Sequence, residues 1–180
     1  QAEYGTSHIS IADAYGNAVA MTTTIEDAWG ARQMVNRGVG LAGGFLLNNE
    51  LTDFSFSPAG ADGKPVANRV EPGKRPRSSM SPLLVFELPP KPEAAKPRFL
   101  MSVGSPGGAL IIHFTAKTLL GVLNWGLNPQ QAINLPNFGI LGGPLFLEQA
   151  RFPAPVIAAL QARGHQAVDP ALALAALGIG

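Results

Sequence analysis

Two short runs of β-branched and small residues, 7–12 and 18–24, flank Asp13-Ala14-Tyr15-Gly16-Asn17 and constrain the fold more than any other stretch. Turn formers between two such runs are the mark of a β-hairpin. With all five turn residues in the loop, Ala12 pairs with Ala18 and every pair of positions sums to 30. His8 then faces Thr22, and Thr6 faces Thr24. Opposed Cβ atoms in a sheet lie about 4.5–5.5 Å apart, near enough for two hydroxyls to interact. A slip of one residue would send each of these side chains to the other face.

The rest of the chain reads in order. Residues 25–43 hold Glu26, Asp27 and Trp29 and run into a Gly-rich stretch, irregular chain leading to the apolar Phe45-Leu46-Leu47, which Asn48-Asn49 ends. Residues 56–76, with four prolines and three glycines, read as a long surface loop, the kind that serves as a lid or binding loop. Pro82–Leu88 and Arg98–Val103 are apolar enough for strands, joined by an exposed tip at 89–97. After Gly104-Ser105-Pro106-Gly107-Gly108, Ala109–Leu123 is apolar at helical length. Its stripe is Ile112, Thr115, Ala116 and Leu119, extended by Leu120 and Leu123. Asn128-Pro129 opens a second helix. Pro153–Arg163 makes a third, stopped by Gly164. Strands followed by helices predict a layered α+β arrangement, with the whole of 1–180 as one domain.

Composition narrows the function classes. Charged residues are 14% and apolar ones 46%, which excludes global disorder, and 180 residues can bury a real core. A net charge of +1 argues for neither nucleic acid nor an anionic membrane, and Lys74-Arg75-Pro76-Arg77 reads as a solvated loop. No apolar run reaches the roughly 18 residues of a membrane span. The chain also has no basic-then-apolar leader, which a longer precursor would carry on its front half. There is no cysteine, and His8, His113 and His165 lack metal-ligand spacing, so neither metal nor cofactor is expected.

Four clusters carry chemistry: Thr6-Ser7-His8, Asn48-Asn49-Glu50-Leu51-Thr52-Asp53-Phe54-Ser55, Arg77-Ser78-Ser79-Met80-Ser81-Pro82 and the 104–108 turn. Each alone is ordinary: an edge-strand start, a capped loop, adjacent serines, a Pro-Gly turn before a helix. A threonine becomes a nucleophile when a base takes its proton, and one at a chain's N-terminus carries that base as its own α-amine, with a reference pKa of about 7.7–8.0. Here five residues precede Thr6, so its nitrogen is an amide.

In this order the clusters resemble the small subunit of γ-glutamyltranspeptidases, within the N-terminal nucleophile hydrolases. The resemblance covers roughly Gly5 to Gln166 and implies their αββα sandwich. It puts the nucleophile on Thr6, self-cleavage of a precursor at Gly5–Thr6, and the threonine supporting the nucleophile on Thr24, where the hairpin register independently places a partner. The family's hairpin return matches Gly16-Asn17-Ala18-Val19. The resemblance implies Glu50 and Asp53 as acceptors for a substrate's α-ammonium, Ser78 and Ser79 as binders of its α-carboxylate, and the Gly107 and Gly108 amides as oxyanion donors. Residues 1–5 would be the segment before the cut, and the large subunit of the same precursor the partner. The substrate would be a small γ-glutamyl amide such as glutathione, and the location periplasmic or secreted.

The sequence also departs from the family. Glu26 stands where Asn commonly contributes to the ammonium pocket, crowding three carboxylates around one cation. The usual Arg-Phe-His-His is replaced by Asn137-Phe138-Gly139, the 56–73 loop is short and without the lid tyrosine of some bacterial members, and no Gly-x-x-Asp-x-Arg tail is seen. Two other readings stand beside γ-glutamyl transfer: an acylase relative acting on glutaryl or cephalosporin-type amides, and an uncut, inactive homologue serving as a structural or interaction protein.

Overall fold

The first hairpin forms in the register its spacing predicts. In the computed structural model, which describes residues 5–36, 38, 40, 43–91, 96–148 and 150–168, β1 (Thr6–Ala12) and β2 (Ala18–Thr24) pair antiparallel, Thr6 opposite Thr24 and Ala12 opposite Ala18. Asp13 builds the connection. Its carboxylate accepts from the Tyr15 and Asn17 amides at 2.9 Å each and from Asn17 Nδ2 at 2.6 Å. These bonds, the Asn17 side chain foremost, hold the Asp13 carboxyl below its usual range.

The stretch after β2 is less irregular than expected. Met34–Val35 forms β3, which supplies ladder partners to the apolar β4 (Phe45–Leu46). A 3-10 turn, Glu50–Asp53, follows and leads into buried Phe54. The 56–76 segment is a surface loop as expected, tied internally. Ser55 bridges Arg69, Ala59 bridges Pro65, and Glu71 pairs with both Arg69 and Lys74. β5 (Leu83–Glu87) and β6 (Arg98–Val103) then form the second expected hairpin, with a bulge after Val85. It packs on the first: Ser102 Oγ donates to Ser10 Oγ at 2.9 Å. Part of the expected tip, 92–95, lies outside the described residues.

Packing divides the chain into two units, one ending at Gly108 and the other starting at Ala109. The second holds α1 (Ile111–Leu123), α2 (Pro129–Asn134), β7 (Phe138–Ile140), β8 (Leu145–Leu147), α3 (Ala154–Ala162) and β9 (Ala167–Val168). Asn128 caps α2 reciprocally with Gln131, and Gly164 at φ 89° ends α3, both as the sequence predicts. The three-stranded sheet β7-β8-β9, with β8 and β9 parallel, is not foreseen by the pattern.

The buried face of α1 differs from the predicted stripe. Of that stripe Thr115 is buried, but Ile112 and Leu120 are 52% and 46% exposed, and Ile111, Lys117 and Gly121, outside it, are buried. Close approach decides this. A Cβ on Gly121 would lie 2.7 Å from that of Ala132, so only glycine lets α2 sit there. Lys117 is drawn in by three acceptors: Ile133 O at 3.2 Å, Leu135 O at 2.8 Å and Asn137 Oδ1 at 2.8 Å. Burial pushes its pKa down, but every ammonium proton has a partner.

Candidate active site

The start of β1 is held on both sides of the Gly5–Thr6 bond. Gly5 O accepts from Ile25 N at 3.2 Å, continuing the ladder one residue beyond the strand. A Cβ on Gly5 would fall 2.5 Å from Asp27 O, so the approach needs glycine. Thr6 Oγ1 and Thr24 Oγ1 are 2.9 Å apart. Thr24 Oγ1 also accepts the Glu26 amide at 2.8 Å, which fixes its rotamer and leaves a lone pair and a proton for Thr6. The predicted hydroxyl pair therefore exists, oriented by a third group.

His8 lies on the same face of β1 as Thr6, because strand side chains alternate. Its Nδ1 and Nε2 lie 2.9 Å from Thr22 Oγ1 and 3.1 Å from Ser10 Oγ. Desolvation by burial lowers its pKa. Gly104 packs so close to this ring that a Cβ on it would fall 2.2 Å from His8 Nδ1. That contact brings the start of the 104–108 turn to the edge of the first hairpin. Within the turn Gly107 has φ 135° and Gly108 φ 54°, conformations that a side chain would strain.

Glu26 and Asp53 each lie close enough to Glu50 for their charges to act on it. Glu26 has φ 75°, and its Oε2 accepts from Asn49 Nδ2 at 2.5 Å. Asn49 also accepts the Asp27 amide on Oδ1 at 3.0 Å and donates its own amide to Ile25 O at 3.2 Å. The end of β2 and the Glu50–Asp53 turn are thus bound through one asparagine. Glu50 Oε1 is buried with no hydrogen-bond partner among the described residues. Burial first, then the charges of Asp53 and Glu26, raise its pKa. A carboxylate so placed lacks a cationic donor. Among the described residues no three His, Asp or Glu side chains converge in a way that could hold a metal ion.

Ser78 and Ser79 lie just before β5. Ser78 is exposed and Ser79 half-buried. Ser78 Oγ accepts from Met80 N at 3.3 Å, which leaves its proton to donate. Asn68 joins this segment to the acidic turn, with Nδ2 donating to Asp53 O at 2.6 Å and Oδ1 accepting from Arg77 N at 3.2 Å. Asn49 and Asn68 are the residues that sequence reasoning missed in these roles. An asparagine in a loop signals a turn and does not say which distant backbone groups its amide will join.

A paired-threonine site at the head of a β-hairpin, on an α+β scaffold, is what these features define. A family profile described as gamma-glutamyltranspeptidase matches residues 1–178. A "glutathione hydrolase proenzyme" of Bacillus subtilis subsp. natto is 37% identical over 161 residues, 89% of this chain and 24% of that protein. Two solved structures are each 35% identical and cover 90% of the chain. An acivicin-inhibited γ-glutamyltranspeptidase superposes with a TM-score of 0.75 over 82% of its own chain. A threonine-to-alanine mutant of the Helicobacter pylori γ-glutamyltranspeptidase gives 0.74 over 83%.

The chain belongs to the γ-glutamyltranspeptidase family and has its N-terminal nucleophile hydrolase fold. It spans about a quarter of the length of the curated relatives it matches. No helix among the described residues is long and apolar enough to cross a membrane.

Proposed function

We propose that this chain is the nucleophile-bearing part of a γ-glutamyltransferase and glutathione hydrolase precursor. In this reading 1–180 is a single small-subunit domain, and the large subunit of the same precursor completes the pocket. The observation that carries the reading is the Thr6–Thr24 hydroxyl pair, 2.9 Å across, beside a Gly5 carbonyl held by Ile25 N.

The chemistry runs in two stages. In the first, Thr6 Oγ1 attacks the Gly5 carbonyl carbon, the Gly5–Thr6 C–N bond breaks, and the Thr6 nitrogen takes the hydroxyl proton. Water hydrolyses the resulting ester and leaves Thr6 with a free α-amine. In the second, that amine accepts the Thr6 proton as Oγ1 attacks a γ-glutamyl amide. The amides of Gly107 and Gly108 receive the developing oxyanion. Collapse breaks the amide C–N bond and the leaving amine takes the proton. Water or an acceptor amine then cleaves the acyl ester. Glu50 and Asp53 would meet the substrate ammonium, with Glu26 beside them, and Ser78 and Ser79 its carboxylate. The orphaned Glu50 oxygen supports a cationic ligand there. Secretion or periplasmic residence would suit the family.

Intact mass and N-terminal sequencing of the full-length product test the reading. The expected result is a new chain beginning at Thr6, and no cut in Thr6→Ala. A precursor that stays whole would favour a structural or interaction role. A cut protein that prefers glutaryl over γ-glutamyl 4-nitroanilide would be an acylase instead.

A further inference from the structure

We propose that Asn68 is a positioning residue that holds the two arms of the amino-acid pocket, Glu50–Asp53 and Ser78–Ser79, at a fixed separation, and so sets the preference for donors carrying both ammonium and carboxylate. The inference rests on the pocket reading given above.

Both ends of the Asn68 carboxamide are committed, one to each arm. Nδ2 donates to Asp53 O at 2.6 Å and Oδ1 accepts from Arg77 N at 3.2 Å. The orientation is unambiguous, because a carbonyl only accepts and an amide N–H only donates. The Asn68 main chain joins in as well, its carbonyl accepting from Ser55 N at 2.9 Å. Arg77 directly precedes Ser78, and Asp53 ends the acidic turn. A shift of Asn68 would therefore reach both recognition elements.

Asn68 is itself braced. The neighbouring Arg69 donates its amide to Val66 O at 3.1 Å and its guanidinium to the same oxygen at 3.0 Å. Lys74 Nζ donates to Ala67 O at 3.1 Å and pairs with Glu71 at 2.5 Å. On the far side, Asn49 links the acidic turn to Ile25 and Asp27 at the end of the nucleophile hairpin. Two asparagines thus join the nucleophile hairpin, the acidic turn and the serine segment in series. Aspartate at 68 would put a carboxylate oxygen against the Asp53 carbonyl, and glutamine would add a methylene to the span. Only asparagine offers donor and acceptor at this reach.

The test uses the full-length precursor, wild type and Asn68→Ala, with γ-glutamyl 4-nitroanilide, glutaryl 4-nitroanilide (no amine) and butyryl 4-nitroanilide (neither group). Cutting at Gly5–Thr6, read by mass, reports whether the hairpin folds. The expected result is complete cutting, a KM for the γ-glutamyl donor about tenfold higher with kcat within about twofold, and a preference over the butyryl donor reduced by a similar factor. Unchanged KM and preference, or an equal loss on all three anilides, would overturn the proposal. Should Asn68→Ala remain uncut, Asn68→Asp, which keeps the shape and the Arg77 bond, decides by the same criteria; if it too is uncut, Asn68 acts in folding and the proposal falls. A wild-type protein that is cut but turns over no anilide would instead remove the pocket reading, and this inference with it.

Discussion

The first hairpin, β1 and β2, and the acidic turn are neighbours with opposite polar accounts. In the hairpin Thr6, Thr24, His8, Thr22 and Ser10 satisfy one another, and the Glu26 amide closes the set. In the acidic turn one Glu50 oxygen is buried without a partner among the described residues, and burial first, then the charges of Asp53 and Glu26, raise that residue's pKa. A region whose hydrogen bonds are complete is organised before a substrate arrives. A region with an orphaned buried carboxylate has hydrogen-bonding capacity left over. On the proposed reading the first does the chemistry and the second recognises the substrate, and substitution tests that division.

The largest effect is expected on the complete side. Thr24→Val keeps the shape, removes the partner of Thr6 Oγ1 and strands the Glu26 amide, which Thr24 accepts at 2.8 Å. Loss of a hydrogen bond together with an unsatisfied donor makes the expected fall in kcat about a hundredfold. KM should hold within about threefold, since on this reading the hydroxyl does not touch the amino-acid head. Thr24→Ser should recover most of the rate. Steady-state kinetics on the cut protein check it, and a KM effect equal to the kcat effect would dissolve the contrast between the two regions.

How much of this was legible follows the same division. The hairpin register could be read because strand side chains alternate and Asp13 to Asn17 set the loop length, so Thr24 opposite Thr6 needed no long-range knowledge. The glycine turn and helix caps were legible because their residues answer local backbone demands. Asn49 and Asn68 were not, since Asn49 reaches Glu26, 23 positions away, and Asn68 reaches Asp53, 15 positions away, across a loop without periodicity. The buried face of α1 keeps Thr115 of the expected stripe but is otherwise turned from it, because a Gly121–Ala132 contact and the three acceptors of Lys117 outweigh apolar periodicity. β7, β8 and β9 are two or three residues long, too short for alternation to register.

An intermediate effect is expected from pH. Glu50 is raised above its ordinary pKa, so between the unfolded and folded values the folded protein holds the extra proton. Stability from this residue is therefore greatest at low pH and declines as pH climbs through that window. Donor binding runs the other way. An ammonium needs the ionised carboxylate, so KM for a γ-glutamyl donor should fall as pH rises through the folded-state pKa. Glu50→Gln should flatten that limb and raise KM near neutrality about tenfold. A KM–pH profile that is the same in both proteins would show that Glu50 does not meet the ammonium.

The smallest effect is expected at Glu26. Its Oε2 accepts from Asn49 Nδ2, and its charge is the last of the three causes that raise Glu50. Glu26→Gln keeps an acceptor for Asn49 and removes the charge. The Glu50 pKa should then move down, carrying the acid limb of the KM profile to lower pH, with KM at neutrality changed by no more than about threefold. A donor with a second positive charge next to the ammonium should lose more than a simple γ-glutamyl anilide, because the extra carboxylate is the feature that would favour it. Equal losses on both donors would assign Glu26 to holding Asn49 in place. A larger loss on the doubly charged donor would make it a selector of substrates and extend ligand-completed recognition to the second residue beyond the hairpin's own hydroxyl pair.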